Sequence, residues 1–297
     1  MKLQFGVHLP IHGVYDFAAA LQTALTADQL GYHSIWVGDH FFLPEGAYVN
    51  LGGDPRRPDK LDAWTALAAI AVQTRQVKLG TRVSPIPFYL PARLAKIVAT
   101  IDVISQGRVI LGVGAGWFRE EAVAYGLKWA NHRERIARMV DGVEVILKLW
   151  TMDRATHHGP YYTVADAPFW PKPVQIPHPP AWFGGSSPAI IEATARYGDG
   201  LLPLTDLSVD QFYALSQQLA AAADRLRVEK KVTLAPSLSY PHGIGATPAE
   251  WVTNTHRYGE AGADLLLVDF TQTKVSPKQA IAFLEVFAHT VFPAYQA

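Results

Sequence analysis

One strand–helix–strand stretch in the first half of the chain decides the fold. It reads Val77-Lys78-Leu79-Gly80-Thr81-Arg82-Val83, then a helical segment over 92–104, then Arg108-Val109-Ile110-Leu111-Gly112-Val113. Pro91 precedes the helical segment, and proline suits the first turn of a helix because the N–H groups there have no partner within the helix. Short, largely apolar runs separated by a helix predict parallel strands that are covered on both faces.

The same alternation extends over the whole chain. The predicted strands span 5–9, 34–37, 77–83, 108–113, 181–183, 200–204, 232–235 and 264–268. The predicted helices span 17–30, 62–73, 92–104, 133–150, a segment opened by Ser187 and Pro188, 210–226, 248–261 and 277–291. Eight strand–helix units in 297 residues predict a (β/α)8 TIM barrel formed by one domain over 1–297. A doubly wound open sheet is the alternative, because the number of strands does not prove closure.

Two segments are longer than ordinary connections between helices and strands. They cover 41–60 and 151–180, and the second contains seven prolines. Long loops in compact domains are commonly lids or binding loops. We therefore expect insertions at the C-terminal face of the barrel that act as lids or dimer arms.

The composition excludes several classes of protein. The 26 basic and 26 acidic residues balance, so no global charge attracts nucleic acid or an anionic membrane. The absence of cysteine excludes disulfide scaffolds, thiolate metal sites and cysteine nucleophiles. No apolar run reaches the length of a membrane span, and the first residues lack the apolar core of a signal peptide. These features predict a soluble cytoplasmic protein without nucleic-acid or membrane partners.

In a barrel of this type, the chemistry is expected at the C-terminal ends of the strands. Asp39 and His40 directly follow the second predicted strand. A carboxylate can fix the tautomer of a neighbouring imidazole, and an imidazole can hold or transfer a proton near neutral pH. Asp39 and His40 are therefore the predicted catalytic residues. The alternatives are a histidine satisfied within the core and an aspartate that caps the following loop.

Glycine-rich turns follow two other strands. Gly114 and Gly116 follow the fourth strand, and Gly184-Gly185-Ser186 precede a helix. Glycine lets a flat or anionic ligand approach the backbone, and a helix N-terminus binds phosphate. Ordinary tight turns are the alternative. The G-x-G-x-G spacing of residues 112–116 does not match the dinucleotide fingerprint.

Other catalytic patterns are weaker. His157 and His158 lack the spacing of metal ligands, so we expect surface residues there and no metal site. The sequence contains no G-x-S-x-G nucleophile elbow. Asp39, Asp206 and Asp269 all follow predicted strands, which leaves a paired-carboxylate glycoside hydrolase as an alternative.

Several motifs together resemble the luciferase-like flavin-dependent oxidoreductases. They are the runs 30–40, 79–83, 102–109 and 112–117, with Glu121, followed by Pro171-Lys172-Pro173 and Gly184-Gly185-Ser186. The resemblance implies a barrel with insertions, a homodimer, and either FMN or the deazaflavin coenzyme F420 at the C-terminal mouth of the barrel. It covers about two hundred residues and is specific for the family, but much less so for the substrate.

The resemblance also implies roles for residues. Asp39 and His40 would lie beside the flavin ring, with His40 as the proton partner. Val83 and Ser84 would form a bulge against the ring face, a position that often contains a non-prolyl cis peptide. The remaining cofactor-binding residues would be Gly114, Ala115, Gly116, Trp117, Gly184, Gly185 and Ser186. Trp117 stands where the sugar-phosphate dehydrogenases of the family carry a glutamate, which argues against that substrate.

The choice of cofactor depends on one short motif. Deazaflavin-dependent members commonly carry Asp-His where many FMN monooxygenases carry Glu-His-His, and this chain reads Gly38-Asp39-His40-Phe41. We therefore expect an F420-dependent oxidoreductase that transfers hydride between the deazaflavin and a small organic substrate. The alternatives are an FMN-dependent monooxygenase that uses molecular oxygen, and a protein that binds a flavin without turnover.

Overall fold

Twelve strands are present in the computed structural model, which describes residues 3–295. They are β1 Gln4–Leu9, β2 Ser34–Val37, β3 Lys78–Thr81, β4 Ser84–Pro85, β5 Val109–Gly114, β6 Arg154–His158, β7 Thr163–Pro168, β8 Ala181–Gly184, β9 Gly200–Leu202, β10 Thr233–Leu234, β11 Ser237–Ser239 and β12 Leu265–Asp269. The predicted domain also includes residues 1, 2, 296 and 297, which lie outside the described residues.

The parallel sheet curls into the predicted barrel. Its strands are ordered β10-β9-β8-β5-β3-β2-β1-β12-β11. The two ends of this order, β10 and β11, belong to one extended segment that is interrupted at Ala235 and Pro236. Ala235 donates its N–H to the carbonyl of Leu201 on β9, and the carbonyl of Pro236 accepts from the N–H of Leu267 on β12. This segment therefore joins β9 to β12 and supplies the seventh of eight barrel positions. Pro236 splits it because proline cannot donate to a strand ladder.

Ten α-helices occur between residues 3 and 295. They are α1 Phe17–Leu30, α2 Glu45–Asn50, α3 Ala63–Gln73, α4 Pro91–Ser105, α5 Arg119–Ala124, α6 His132–Thr151, α7 Pro188–Tyr197, α8 Val209–Leu226, α9 Pro248–Glu260 and α10 Pro277–Val291. Eight of them correspond to the eight predicted helices. Both ends were predicted for all of these except α7, and each of those ends agrees within one residue. The short helices α2 and α5 were not predicted, because a segment of six residues is too short to show helical periodicity. None of the helices in this part of the chain is long and apolar enough to span a membrane.

The two predicted insertions lie at opposite ends of the barrel. Segment 41–60 follows β2 and contains α2, so it lies at the C-terminal face as expected. Segment 151–180 leaves the end of α6 and leads into the start of β8, so both of its ends lie on the N-terminal side of the strands. It forms the antiparallel β6–β7 hairpin beside α6. The prediction of a C-terminal lid is wrong for this segment, because its length and prolines do not indicate which end of the barrel it joins.

The hairpin is attached to α6 through Asp141. This carboxylate accepts hydrogen bonds from the backbone N–H groups of Tyr161 and Tyr162, both at 2.9 Å, and lies 2.7 Å from Nε2 of His157. His157 is consequently buried, whereas His158 is exposed. The prediction of a surface position is wrong for His157, because its partner lies 16 residues away on another element.

A second buried carboxylate fixes the turn that leads into β3. The side chain of Asp28 on α1 accepts from the backbone N–H groups of Arg75, Gln76 and Val77 at 2.9, 2.7 and 2.8 Å. A buried N–H that loses its acceptor costs about 1–3 kcal/mol. This carboxylate therefore sets the start of the strand whose other end carries Arg82 and Val83.

We expect Asp28→Ala to lower the free energy of unfolding by about 3 kcal/mol, because three backbone donors lose their acceptor. Urea unfolding followed by circular dichroism measures the change. Asp224→Ala, at an exposed position on α8, is the matched control and should change stability by less than about 0.5 kcal/mol. Equal midpoints for Asp28→Ala and the wild type would contradict the proposed role of Asp28.

Candidate active site

A cavity of about 780 Å³ opens at the C-terminal ends of the barrel strands. Side chains and backbone from β1, β2, β3, β5, β8 and β12, or from the loops that follow them, line its wall. The lining residues used below are His8, His12, Gly38, His40, Leu43, Pro44, Ala47, Lys60, Arg82, Val83, Gly114, Ala115, Gly116, Trp117, Glu121, Gly184, Gly185 and Ser186. This is where active sites of (β/α)8 barrels are found.

His40 is held by a carboxylate that is distant in sequence. Its Nδ1 lies 2.8 Å from Oε2 of Glu121, which is on α5 and only 1% exposed as a side chain. The other carboxylate oxygen of Glu121 accepts from the backbone N–H of Phe41 at 2.5 Å. This arrangement fixes Nδ1 against Glu121 and leaves Nε2 as the free ring nitrogen. The imidazole also packs edge-to-face on Trp117, with 5.7 Å between ring centroids.

Asp39 lies behind the cavity wall and has a different set of partners. Its Oδ2 accepts from the hydroxyl of Ser84 at 2.5 Å and from that of Tyr89 at 2.8 Å. Burial raises the pKa of Asp39, and the two hydrogen bonds oppose this shift. The expectation that Asp39 fixes the tautomer of His40 is therefore wrong, since Glu121 occupies that position. The sequence neighbour points away because successive residues at a strand end face opposite sides.

Val83 is the residue of the predicted bulge that reaches the cavity. The peptide bond between Arg82 and Val83 is cis, so a non-prolyl cis bond of the kind that the resemblance implied leads into the predicted Val83–Ser84 bulge. Ser84 is fully buried, and its hydroxyl accepts from Nε1 of Trp64 at 3.0 Å in addition to bonding Asp39. The structure thus places Val83 on the cavity surface and Ser84 behind it.

Two of the predicted glycines make room for Val83. A Cβ added at Gly114 would lie 2.5 Å from one methyl carbon of Val83, and a Cβ at Gly184 would lie 2.8 Å from the other. Real Cβ atoms do not approach carbon so closely, so a larger residue at either position would displace Val83. These glycines are needed for packing against the bulge, whereas the prediction was ligand approach or a tight turn.

Two neighbouring glycines have the backbone freedom that the sequence predicted. Gly116 has a φ of 79° and Gly185 a φ of 124°, values that favour glycine. The N–H of Gly185 donates to the carbonyl of Leu202, so this amide is not available to a ligand. Ser186 is exposed at the start of α7, and Trp117 is 57% exposed beside His40. The cavity therefore brings together every predicted cofactor-binding residue except Ser84.

Three charged or titratable side chains meet at the base of the cavity. Nδ1 of His8 lies 3.1 Å from Oδ2 of Asp269, and Arg82 lies 3.4 Å from the same oxygen. Arg82 also donates to the carbonyl of Pro203 at 2.9 Å. Burial favours a neutral carboxyl, but the hydrogen bond from His8 and the charge of Arg82 prevail and keep the pKa of Asp269 below its usual range. Burial lowers the pKa of His8, and the neighbouring Asp269 opposes this shift.

Two further polar side chains of the cavity lining, His12 and Lys60, have no protein partner within residues 3–295. His12 is 3% exposed, and neither of its ring nitrogens has a hydrogen-bond partner. Burial and the charge of Lys60 lower the pKa of His12 to about 3. Burial also lowers the pKa of Lys60 to about 8. Lys60 makes no ion pair with any residue in 3–295.

The three aspartates of the glycoside hydrolase alternative do not form a catalytic pair. Asp39 and Asp269 are occupied as described above, and Asp206 accepts from the hydroxyl and the N–H of Ser239. None of the three is among the residues that line the cavity. The geometry does not support paired-carboxylate chemistry at this site.

Sequence reasoning missed the roles of Glu121, Lys60 and Arg82. Glu121 is 81 residues from His40, and Arg82 is 187 residues from Asp269. Only the barrel brings these pairs together. A signal for Arg82 was present, since it is the penultimate residue of the third predicted strand, but Lys60 lies in an insertion whose course the sequence does not indicate.

Comparisons with known proteins agree with this architecture. The family model described as "Luciferase-like monooxygenase" matches residues 3–271. The F420-dependent glucose-6-phosphate dehydrogenase of Amycolatopsis mediterranei is 33% identical over 225 residues. That alignment covers 74% of this chain and 64% of the dehydrogenase, so the chain spans less than two thirds of the relative's length.

Solved structures show the same fold. An F420-dependent secondary alcohol dehydrogenase in complex with an F420-acetone adduct superposes with a TM-score of 0.82 at 22% identity, covering all of both chains. A monooxygenase from Streptomyces bottropensis also has a TM-score of 0.82 at 22% identity, covering 99% of this chain and 100% of the other. The predicted barrel and the predicted resemblance are confirmed, and the chain belongs to the luciferase-like monooxygenase family of oxidoreductase enzymes.

Proposed function

We propose that the protein is an F420-dependent oxidoreductase that transfers hydride between the deazaflavin and a small organic substrate. The observation that carries this proposal is the cavity itself, which presents the oriented imidazole of His40 and the half-buried side chain of Val83 to one space. The deazaflavin-dependent relatives named above support F420 as the cofactor.

The residues present fit a deazaflavin. A cavity of about 780 Å³ is within the usual range for cofactor sites. Val83 would contact one face of the ring, a position that Gly114 and Gly184 keep free of other side chains. Gly116 and Ser186 would hold the ribityl and phosphate portions, because the first turn of α7 has backbone N–H groups without partners in the helix.

Bound F420 supplies the hydride chemistry, as oxidant or reductant according to its redox state. The chain's own residues position the reactants and handle the proton. Glu121 holds Nδ1 of His40, so Nε2 is the atom that exchanges a proton with the substrate oxygen. Asp39 acts indirectly: together with Tyr89 it fixes Ser84, and thereby the backbone that carries Val83.

FMN-dependent oxygenation is the second candidate function. One feature favours it, a set of stacked aromatic side chains that includes Trp117 of the cavity lining and would limit the access of water. Phe41 stacks on Tyr125 with 4.4 Å between centroids, and Trp117 stacks on Phe118 at 5.3 Å. Excluding water protects reactive oxygenating species from hydrolysis, as a monooxygenase requires.

We expect the cofactor-free protein to bind F420 at least about tenfold more tightly than FMN, a difference of about 1.4 kcal/mol. Parallel fluorescence titrations of one preparation with each cofactor give both dissociation constants. Tighter binding of FMN would favour the monooxygenase, and binding of neither would overturn both functions.

The working form of the protein is also part of this proposal. We propose that residues 1–297 act as one barrel domain, as a cytoplasmic homodimer, on a small molecule and without nucleic-acid or membrane partners. The balanced charge and the family resemblance support this. Light scattering of the purified protein tests the dimer.

A further inference from the structure

Lys60 and His12 both line the cavity and lie next to each other. Their backbones form an isolated antiparallel bridge, which connects the end of the 41–60 insertion to the loop after β1. Neither ring nitrogen of His12 has a partner among the described residues, although His12 is only 3% exposed. A buried polar atom without a partner is unfavourable, so a ligand atom that bonds to it at this place would be stabilising.

Lys60 is the basic side chain of the cavity that forms no ion pair with the described residues. Within the described residues, only Lys60 and Arg82 supply a lysine or arginine side chain to the lining. Arg82 is paired with Asp269, whereas Lys60 makes no ion pair. A lysine with a pKa of about 8 remains largely protonated at neutral pH. The cavity therefore offers one half-buried ammonium group to an anionic ligand.

The distance from Lys60 to the proton-transfer residue limits the size of that ligand. A Cβ placed on Gly38 would be 3.9 Å from Cδ2 of His40 and 4.0 Å from Nζ of Lys60, so these two atoms are less than 8 Å apart. A hydrogen bond at each end takes about 2.8 Å. At this upper limit the remaining space fits no more than two oxygens on adjacent carbon atoms, and Leu43, Pro44 and Ala47 are apolar residues of the same cavity lining.

We propose that Lys60 and His12 bind the carboxylate of a short-chain 2-hydroxy or 2-oxo acid, whose second oxygen faces His40. This inference rests on the proposed function. In the oxidative direction, the C–H bond at the hydroxyl-bearing carbon breaks and its hydride reduces the deazaflavin. The hydroxyl proton passes to His40, and the C–O bond becomes a carbonyl. Reduction of the 2-oxo acid is the reverse step and uses the same groups.

Lactate and lactamide test the proposal, because they differ only in the carboxylate. Calorimetric titrations of the F420-loaded and the cofactor-free protein should show lactate binding at least about tenfold more tightly than lactamide. Lys60→Met should reduce the preference to less than about twofold, and His12→Phe, which keeps a ring against Tyr48, should weaken lactate binding. The affinity for F420 should stay unchanged in both variants.

Lys231→Met is the matched control, since Lys231 is exposed and paired with Asp264 next to the start of β12. It should retain the full preference. A wild-type protein that binds both compounds equally, or a Lys60→Met variant that still prefers lactate, would overturn the proposal. A lactate preference without binding of F420 would support the carboxylate site and overturn the oxidoreductase. Binding of F420 without a lactate preference would overturn the carboxylate site and support the oxidoreductase.

The pH dependence provides a second readout. The preference for lactate should fall as pH rises through 8, because the carboxylate requires the protonated form of Lys60. Asp39, Asp62 and Glu121 also face Lys60 and favour its charged form, and His12 remains neutral throughout this range. A preference that is constant from pH 7 to 10 would contradict the role of Lys60.

Discussion

His40→Ala should lower the rate of hydride transfer by about a hundredfold or more, while the dissociation constant of F420 changes by no more than a few fold. The reason is the geometry of the imidazole. Glu121 fixes its Nδ1, and the side chain is 13% exposed toward the cavity, so the ring can reach a substrate. Alanine removes the proton-transfer group and leaves Val83 and the glycine-rich turns in place.

The rate is measured without oxygen, from the change in F420 absorbance with a substrate that the wild-type protein converts. The binding constant comes from a fluorescence titration of the same variant. His158→Ala is the control, because this exposed histidine lies on the β6–β7 hairpin. An equal loss of rate and of F420 affinity would make His40 a binding residue, and an unchanged rate would remove it from the mechanism.

The helices were predictable because their signals are local. Thr247 caps α9 and Ser276 caps α10, each with a capping box formed by the residue three positions later. Apolar periodicity fixes the length of such helices. The barrel follows from the alternation of these helices with buried strands, which is also a property of consecutive residues.

The candidate site was only partly predictable, because its key contacts join distant parts of the chain. The position of His40 follows from the end of β2, but its partner Glu121 lies on a six-residue helix without a sequence signal. The contacts of Asp39 were not predictable for the same reason, because its partners Ser84 and Tyr89 lie 45 and 50 residues away. A strand end predicts where a side chain is, and only the folded barrel determines what it contacts.

Gly112 shows the same limit for a residue of the core. In the sequence it belongs to the predicted strand over 108–113, and nothing there indicates which neighbour its missing side chain admits. In the structure it lies within β5, and an added Cβ would be 1.7 Å from the carbonyl oxygen of Thr81 on the neighbouring β3. The hydroxyl of Thr81 also donates to the carbonyl of Gly112 at 3.2 Å. Gly112 therefore permits the close approach of the two strands.

We expect Gly112→Ala to lower the free energy of unfolding by about 3 kcal/mol or more, because the clash is with backbone that cannot rotate away. Gly46→Ala is the matched control: nothing lies within 4 Å of its added Cβ, and alanine is favoured in a helix, so stability should stay equal or rise. Urea unfolding of both variants measures the difference.

Thr81 directly precedes Arg82 and Val83, so Gly112→Ala should also weaken F420 binding in the protein that still folds. Stability and F420 affinity equal to those of Gly46→Ala would show that β3 and β5 do not require this close contact. A loss of both would link the packing of the barrel core to the position of Val83, and thereby to the cofactor site.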